Sequence, residues 1–221
     1  MNEPDAGGNV GVGPWDGPWP RDHTGGLPKH YDPDLLRAGD ARNVADHYRY
    51  WRQEAVVSDL DTRRHGFHVA VENWGHDFNI GSVIRTANAF NAASFHIVGR
   101  RRWNRRGAMV TDRYQHEHHH PDVTHLHAWA ISHAAGERGI PIIGLDNVPG
   151  AGSLETTGLP LRCVLLFGQE GPGLTPEARA GAALTVSIAQ FGSTRSINAG
   201  VAAGIVMHAW IRRHANLSTA W

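Results

Sequence analysis

The stretch that most constrains the fold runs from Leu184 to Trp210. A β-branched run ends at Ile188, a polar loop with a glycine follows, and from Ser196 the chain reads as a helix rich in small residues. We predict Ser196 as the N-cap, because its hydroxyl can accept a hydrogen bond from a free amide of the first turn. Glycine lowers helix propensity by up to about 1 kcal/mol, so Gly200 and Gly204 favour close packing or ligand contact. An ordinary buried helix also fits this stretch taken alone.

Composition limits the classes of protein that the chain can belong to. Its 221 residues, 41% hydrophobic and 19% charged, predict one sizeable domain with extensions or two small ones. No apolar run approaches the roughly 20 residues of a membrane helix, and no signal peptide is visible. The single cysteine, Cys163, excludes an intrachain disulfide and a multi-cysteine zinc site. We therefore expect a cytoplasmic protein. Its formal net charge of zero requires any nucleic-acid binding to come from a local patch.

The chain is predicted to have three regions. Residues 1–30 are rich in Gly, Pro and Asp and are expected to form a disordered tail. Residues 31–65 are expected to be a helical extension, a lid or a packing element, because apolar residues recur at helical spacing between Val44 and Ala55. Residues 66–221 then form the globular domain.

The domain opens with a strand–loop–helix–strand pattern. Phe67–Val71 reads as a buried strand, Ser82–Phe90 as a helix and Ser94–Val98 as a second strand, which together predict a βαβ unit and a parallel sheet. Functional loops in such sheets lie at the carboxyl ends of the strands, where Asn79 and Arg85 are placed. Arg85 either binds phosphate oxygens or caps its own helix.

Further strands lead into further glycine-containing loops. We predict a helix over residues 128–138 and strands over 141–145 and 161–167, with Thr175 capping a helix that begins at Pro176. Loops of one kind follow Val71, Phe167 and Ile188. Glycines let a backbone approach a ligand closely, so these three loops together indicate a ligand site.

A basic segment follows the second predicted strand. It contains five arginines around a tryptophan: Arg100, Arg101, Arg102, Trp103, Arg105 and Arg106. Arginine bridges phosphates, and both residue types stack on unpaired bases, so the segment is a candidate RNA-binding surface. A solvated basic loop is the alternative.

A histidine-rich segment covers residues 116–127. Zinc needs three or four converging ligands, but consecutive histidines rarely point to one position. We therefore predict no metal site here and expect the histidines in a substrate-facing loop.

Three segments resemble a known family. Residues 79–87 (NIGSVIRTA), 167–174 (FGQEGPGL) and 196–204 (SINAGVAAG) resemble, in this order, the three motifs of the SpoU/TrmH-type RNA ribose methyltransferases of the SPOUT superfamily. The motifs span about 140 residues, from Phe67 to roughly Trp210.

The resemblance implies a fold and partners. The expected fold class is α/β: a parallel-sheet SPOUT domain with a deep C-terminal trefoil knot and short helical extensions at both termini. It also implies a homodimer with active sites at the interface, S-adenosylmethionine as cofactor and RNA as substrate. The implied cofactor-binding residues are Leu145, Gly168, Ile188, Ser196, Ile197 and Asn198.

The resemblance further implies a catalytic group of Asn79, Arg85, Glu170, Ser196 and Asn198. The reaction would transfer a methyl group to a ribose 2′-hydroxyl of tRNA or rRNA, with tRNA preferred because no large accessory RNA-binding domain is visible. Arginine is a poor base because its pKa exceeds about 12. We therefore expect Arg85 to clamp a phosphate, Asn79 to orient Arg85 or the ribose, and Glu170 to organise the site.

The chain departs from the family pattern at several positions, among them Asn91 and Ile197, and two other classes compete with this interpretation. Ala189 and Gln190 stand where related proteins usually have Pro and Met, which affects the predicted shape of that loop. A non-catalytic RNA-binding relative is disfavoured because all five implied catalytic residues are present. A dinucleotide- or nucleotide-binding enzyme is disfavoured because neither a G-x-G-x-x-G after the first strand nor a Walker loop occurs.

Overall fold

The computed structural model describes residues 11–73, 75, 79–134 and 139–219. The chain divides into two units, Met1–Thr62 and Arg63–Trp221. Within the described residues, no helix is both long enough and apolar enough to cross a membrane. The predicted division at residues 30 and 65 remains a prediction.

The first unit has little regular structure. Its helices are α1 (Pro33–Ala38) and α2 (Gln53–Asp61), with a 3₁₀ turn at Asp46–Tyr48 between them. The buried carboxylate of Asp40 pairs with Arg42 at 2.6 Å and accepts the backbone N–H of Tyr50. The expected continuous helical pattern is interrupted because Tyr50 has a φ of 64°, outside the helical region.

Part of the predicted tail belongs to this unit. Val12 forms an antiparallel bridge with Asp40, and the Trp15 ring packs edge-on against Tyr31 and Tyr50. The structure therefore gives residues 11–30 partners that the composition did not reveal, while residues 1–10 lie outside the described residues.

The second unit is built on a seven-stranded parallel sheet. Every strand pairing in it is parallel, and the order across the sheet is β3-β2-β1-β6-β4-β7-β5. The strands are β1 (Phe67–Asn73), β2 (Phe95–Gly99), β3 (Glu117–His120), β4 (Ile142–Leu145), β5 (Gly152–Ser153), β6 (Cys163–Phe167) and β7 (Leu184–Ser187). The prediction of an α/β fold with a parallel sheet is confirmed.

The described residues of this unit also form four α-helices: α3 (Ile80–Ala89), α4 (Val123–Ser132), α5 (Pro176–Gly181) and α6 (Ala199–His214). Alternate strand residues enter two separate apolar clusters, since successive side chains point to opposite faces of a sheet. Val69 and Leu165 join the cluster that contains residues of α3 and α6, whereas Ala70 and Leu166 join the one that contains residues of α4 and α5.

Three local predictions are wrong and one is confirmed. Ser196 is not the N-cap of the last helix: α6 begins at Ala199, and Asn198 caps it by accepting the backbone N–H groups of Gly200 and Val201. The helix predicted over 128–138 instead begins at Val123, capped by Asp122, and residues 135–138 lie outside the described residues. Thr175 caps α5, as predicted.

The third change concerns the histidines. Residues 117–120 form edge strand β3 rather than a loop. β3 pairs in parallel with the neighbouring strand β2, and side chains of β3 such as His120 are buried against the sheet.

Two glycines allow a close approach, one on α3 and one on α6. A Cβ at Gly81 on α3 would lie 2.6 Å from the Cα of Gly107. A Cβ at Gly200 on α6 would lie 2.5 Å from the Oγ of Ser82. Glycines at these positions therefore set the spacing of α3 from the segment at Gly107 and from α6.

Candidate functional site

The carboxyl ends of three neighbouring strands border a cavity. β6, β4 and β7 are adjacent in the sheet, and the loops after them line a cavity of about 700 Å³. Its wall combines apolar side chains such as Phe167 and Val206 with the glycine-rich turn 168–173. In that turn Gln169 and Gly173 exchange backbone hydrogen bonds at 3.1 Å, which fixes its shape.

The cavity gathers every residue that the sequence analysis assigned to the cofactor. All six line it, although they come from three segments that are distant in the chain: Leu145, Gly168, Ile188, Ser196, Ile197 and Asn198. A Cβ at Gly168 would lie 2.2 Å from the carbonyl carbon of Gly173, so only glycine fits this turn. The site assignment itself stays a prediction.

Three of the predicted catalytic residues form one hydrogen-bonded network. The Nδ2 of Asn79 donates to Glu170 Oε2 at 2.7 Å. The Nδ2 of Asn198 donates to Asn79 Oδ1 at 2.9 Å and to Glu170 Oε1 at 3.3 Å. Glu170 and Asn198 also line the cavity, so the network lies along its rim. Both carboxylate oxygens of Glu170 are occupied as acceptors, which holds the two amides in fixed orientations.

The other two predicted catalytic residues are less constrained. Arg85 lies exposed on the second turn of α3, and its guanidinium forms no hydrogen bond or ion pair with the described part of the chain. Ser196 is exposed and lines the cavity. The structure therefore places Ser196 in the predicted pocket and leaves Arg85 able to meet an external anion.

The basic segment divides into two parts. Arg100, Arg101, Arg102 and Arg106 are exposed. Trp103, in contrast, packs partly against the apolar core, and the Arg105 guanidinium lies over its ring at 4.7 Å. Arg105 also pairs with Asp112 at 2.6 Å and with Glu117 at 3.0 Å. These contacts give Trp103 and Arg105 a structural role that the composition did not distinguish.

The histidines form a hydrogen-bonded row across β1, β2 and β3. Ser94 Oγ lies 2.7 Å from both His68 Nδ1 and His96 Nε2, and His96 Nδ1 lies 2.9 Å from His120 Nε2. Burial lowers the pKa of His68 and His120 to about 4, and lowers that of His96 well below its usual value. In the described residues, no group of three or more His, Cys, Asp or Glu side chains is arranged to hold a metal ion.

The cavity also contains residues that the sequence analysis did not assign to it. Asp146 and Asn147 follow β4 directly, and Gln190 and Arg195 lie on the loop between β7 and α6. The position of Asp146 and Asn147 after a predicted strand could have indicated them, because ligands of parallel sheets bind beyond the carboxyl ends of the strands. Asp146 accepts the backbone N–H of Leu174 at 3.1 Å and joins the β4 loop to the glycine-rich turn.

Comparison with known proteins identifies the class that this fold and site define. A model described as the SpoU rRNA Methylase family matches residues 66–208. This match covers more than half of the chain, and it spans the sheet, the cavity and the polar network. The chain belongs to the SpoU rRNA methylase family.

Particular relatives agree with this membership. An uncharacterized tRNA/rRNA methyltransferase of Mycobacterium bovis (strain BCG / Pasteur 1173P2) is 28% identical over 198 residues, covering 81% of this chain. The match covers 59% of that protein, so the chain spans well under two thirds of the length of this curated relative.

Solved structures show the same architecture. The SpoU methyltransferase AviRb from Streptomyces viridochromogenes, in complex with AdoMet, has a TM-score of 0.59 and 25% identity, covering 70% of this chain and 60% of that one. A protein solved for the 2-OH methylation of C/U34 on tRNA has a TM-score of 0.56 and 24% identity, covering 67% and 96% respectively. The second likeness concerns the fold alone.

Proposed function

We propose that this protein is an S-adenosylmethionine-dependent RNA methyltransferase that modifies a ribose 2′-hydroxyl of tRNA or rRNA. The observation that carries the proposal is the network of Asn79, Glu170 and Asn198 at the rim of the cavity. Each residue comes from a different family motif, and the three are joined although up to 119 positions separate them.

The residues of the cavity suit this cofactor. Its volume of about 700 Å³ lies in the range of small-molecule sites. Apolar walls at Leu145, Ile188 and Ile197 suit a purine, while Asp146 and Glu170 supply carboxylates for an ammonium group. When bound, S-adenosylmethionine supplies an electrophilic methyl group whose leaving group is a neutral thioether. AviRb, which shares the fold, was crystallised with this molecule.

The protein's task is then to position the 2′-hydroxyl and ease its deprotonation. Arg85 carries a planar guanidinium, which is a poor base and whose fork of N–H donors matches phosphate oxygens. We propose that it clamps the phosphate next to the target ribose and that this pair activates the hydroxyl. Asn79 orients the ribose, and Glu170 holds the side-chain amides of Asn79 and Asn198. Ser196 contributes its hydroxyl to the same cavity wall.

RNA contact is assigned to the basic segment. The exposed Arg100, Arg101, Arg102 and Arg106 are proposed to contact phosphates. Trp103 and Arg105 were predicted to bind RNA as well; their packing and ion pairs support a role in shaping this segment. Among RNA classes we prefer tRNA, a substrate named for one protein of the same fold.

The finer features of the resemblance belong to the same proposal. We propose that the segment leading into α6 passes through a loop to form a trefoil knot. We also propose that the protein is a cytoplasmic homodimer with the cavity at its interface. The exposed side chains of Val201 (55%) and Ile205 (40%), one turn apart on α6, support an interface on that helix. Light scattering of the purified protein measures the oligomeric state.

The test is methyl transfer from labelled S-adenosylmethionine to total tRNA and, separately, to rRNA, both from cells lacking this protein. Digestion to nucleosides identifies the product. We expect label as a 2′-O-methyl nucleotide in one RNA class. Arg85→Ala is expected to lower the rate at least 100-fold, since it removes the phosphate clamp, and to leave cofactor affinity unchanged.

The outcomes separate the competing functions. Cofactor binding with no label in either RNA class supports a non-catalytic RNA-binding relative or a different acceptor. Absence of S-adenosylmethionine binding contradicts the methyltransferase proposal. Label on a base rather than on ribose contradicts the proposed acceptor only.

A further inference from the structure

The last residue of β1 holds the start of the basic segment. Asn73 is only 2% exposed. Its Nδ2 donates to the backbone carbonyl of Arg100 at 2.7 Å and to that of Arg102 at 3.1 Å. Its own backbone carbonyl accepts the N–H of Arg100 at 2.8 Å. One buried asparagine thus makes three hydrogen bonds to the backbone of this segment.

These contacts fix the backbone and leave the arginine side chains at the surface. Arg100, Arg101 and Arg102 are all exposed. Three adjacent guanidinium groups repel one another, so the charges by themselves favour a spread of loop shapes. Two carbonyls held by one buried amide restrict the backbone between them, which includes that of Arg101.

Both ends of this short stretch are also fixed. Gly99 has a φ of 101°, a left-handed conformation that glycine adopts readily where the chain turns out of β2. Its carbonyl oxygen lies 2.8 Å from the Nε2 of His119 on β3. At the other end, Trp103 packs partly against the apolar core. The contacts of Asn73 therefore hold the backbone that lies between these two ends.

The residue before Asn73 holds a different loop. Glu72 is 1% exposed, and its carboxylate accepts the backbone N–H of Thr175 at 2.8 Å and the Thr175 hydroxyl at 2.7 Å. Successive side chains of a strand point to opposite faces of the sheet. The Glu72 carboxylate therefore holds the cap of α5, whereas the Asn73 amide holds the basic segment.

We infer that Asn73 is a positioning residue for RNA binding, because it holds residues 100–102 in the shape that presents their side chains to phosphates. The inference rests on the proposed function, which assigns phosphate contacts to these arginines. A surface that is ordered before its partner arrives binds more tightly, since binding then does not have to supply the cost of ordering it. Loss of the Asn73 amide is therefore expected to weaken RNA binding, although Asn73 is too deeply buried to be a main RNA contact itself.

The test is a double-mutant cycle on RNA affinity, measured by filter binding with labelled total tRNA and, separately, rRNA. Asn73→Leu has nearly the same size but offers no donor to the two carbonyls. We expect it to weaken binding about tenfold, the scale of one or two lost hydrogen bonds. We also expect the slope of log K against log salt to fall by about 0.7 to 2, since each lost phosphate contact contributes about 0.7.

The second arm of the cycle uses a protein that already has alanine at Arg100, Arg101 and Arg102. There Asn73→Leu is expected to change RNA affinity by less than about twofold, because the side chains that it positions are gone. Binding of S-adenosylhomocysteine is expected to be the same with and without Asn73→Leu, which shows that the cavity is intact.

Thr175→Val is the matched control for a general loss of stability. It removes the hydroxyl that bonds Glu72 and the backbone N–H of Ala178, near the same end of β1. RNA affinity is expected to stay within about twofold of that of the unmodified protein. If Asn73→Leu does not fold, Asn73→Ser takes its place, because serine is too short to reach both carbonyls and the same results are expected.

The inference is overturned if the Asn73 variant binds RNA as tightly as the unmodified protein, or if it weakens binding equally with and without the three arginines. It is also overturned if both Asn73 variants fail to fold, because Asn73 then supports the whole domain. The assay requires no methyl transfer. RNA binding with the expected coupling but without methyl transfer would contradict the proposed enzyme and leave the inference standing, whereas absence of RNA binding by the unmodified protein would contradict both.

Discussion

At the scale of single residues, the carboxylate of Glu170 defines the geometry of the site. Its two oxygens accept hydrogen bonds from the side-chain amides of Asn79 and Asn198. These two residues occupy the N-cap positions of α3 and α6. An acceptor that holds two donors is an orienting group, because each of its oxygens fixes the position of one amide. This arrangement makes Glu170 a positioning residue for both helix starts.

Asn198 has two structural roles, and substitutions can distinguish its role as the N-cap from that of Ser196. Asn198→Ala removes the N-cap of α6 and the amide held by Glu170. The free energy of unfolding in urea is expected to fall by about 1 kcal/mol, the usual cost of losing such a cap. Ser196→Ala is the control and is expected to change stability by less than about 0.5 kcal/mol, because Ser196 caps nothing in the structure. Equal losses in the two variants would contradict the assignment of the cap to Asn198.

At the scale of elements, the spacing of α3 depends on one glycine. A Cβ at Gly81 would meet the backbone of Gly107 and Ala108 at 2.6–2.7 Å, and backbone cannot rotate away. At Gly204 on α6 the nearest atom to an added Cβ is Thr86 Cγ2 at 3.9 Å, an ordinary contact. Glycine is thus required at position 81 and dispensable at position 204.

These two positions predict opposite effects of alanine. Gly81→Ala is expected to destabilise the protein by about 1–3 kcal/mol through overpacking. Gly204→Ala is expected to leave stability unchanged or raise it by up to about 1 kcal/mol, because alanine favours the helix. Thermal unfolding followed by circular dichroism measures both. A stable Gly81→Ala protein would refute the close approach of α3 to the segment at Gly107.

The histidine row makes stability depend on pH. In the folded protein burial lowers the pKa of His68 and His120 to about 4, whereas an unfolded histidine titrates near about 6.5. Between these values the unfolded chain binds more protons, so the free energy of unfolding rises with pH and is lost as pH falls from 6.5 towards 4.

Urea unfolding at pH 7.5 and at pH 5 tests this dependence. We expect a lower midpoint at pH 5. His68→Gln keeps a polar partner for Ser94 and is expected to flatten the dependence by up to about one proton. His125→Gln, on the exposed surface of α4, serves as the control and is expected to keep the original slope. A midpoint that is unchanged between the two pH values would contradict the burial of neutral histidines.

At the scale of the whole molecule, the proposed binding of RNA by a chain of zero formal net charge requires a local basic patch. The exposed Arg100, Arg101 and Arg102 directly follow β2, at the carboxyl edge of the same sheet that borders the cavity. Arg105 lies in the same segment but is committed to Asp112 and Glu117.

The salt dependence of RNA binding distinguishes these arginines. Alanine at all three of Arg100, Arg101 and Arg102 is expected to reduce the slope of log K against log salt by about 2, since each lost phosphate contact contributes about 0.7. Binding of S-adenosylhomocysteine is expected to stay the same. Arg105→Ala is expected to lower thermal stability. It is expected to change the slope of log K against log salt by less than the amount that one phosphate contact contributes. An unchanged slope in the triple variant would show that the RNA-binding surface is formed by other residues.

Short-range chemistry in the sequence determined much of this molecule. Apolar runs followed by glycine-rich loops predicted parallel strands, because fully buried strands of this kind carry few polar residues. The glycines of residues 168–173 and the cap at Thr175 depend on neighbours in the chain, so they could be read locally. The motif residues that line the cavity were also named from the sequence, and their role in cofactor binding stays a prediction.

Only the tertiary structure decided how distant segments use these residues. The N-cap of α6 is Asn198 and not Ser196, and the histidines form an edge strand and not a loop. In both places packing, against α3 and against β2, outweighs local preference. Trp103 packs against the core, and Arg105, still exposed, pairs with Asp112 and Glu117. Burial and partners are properties of the folded chain, since they depend on residues that are far apart in sequence.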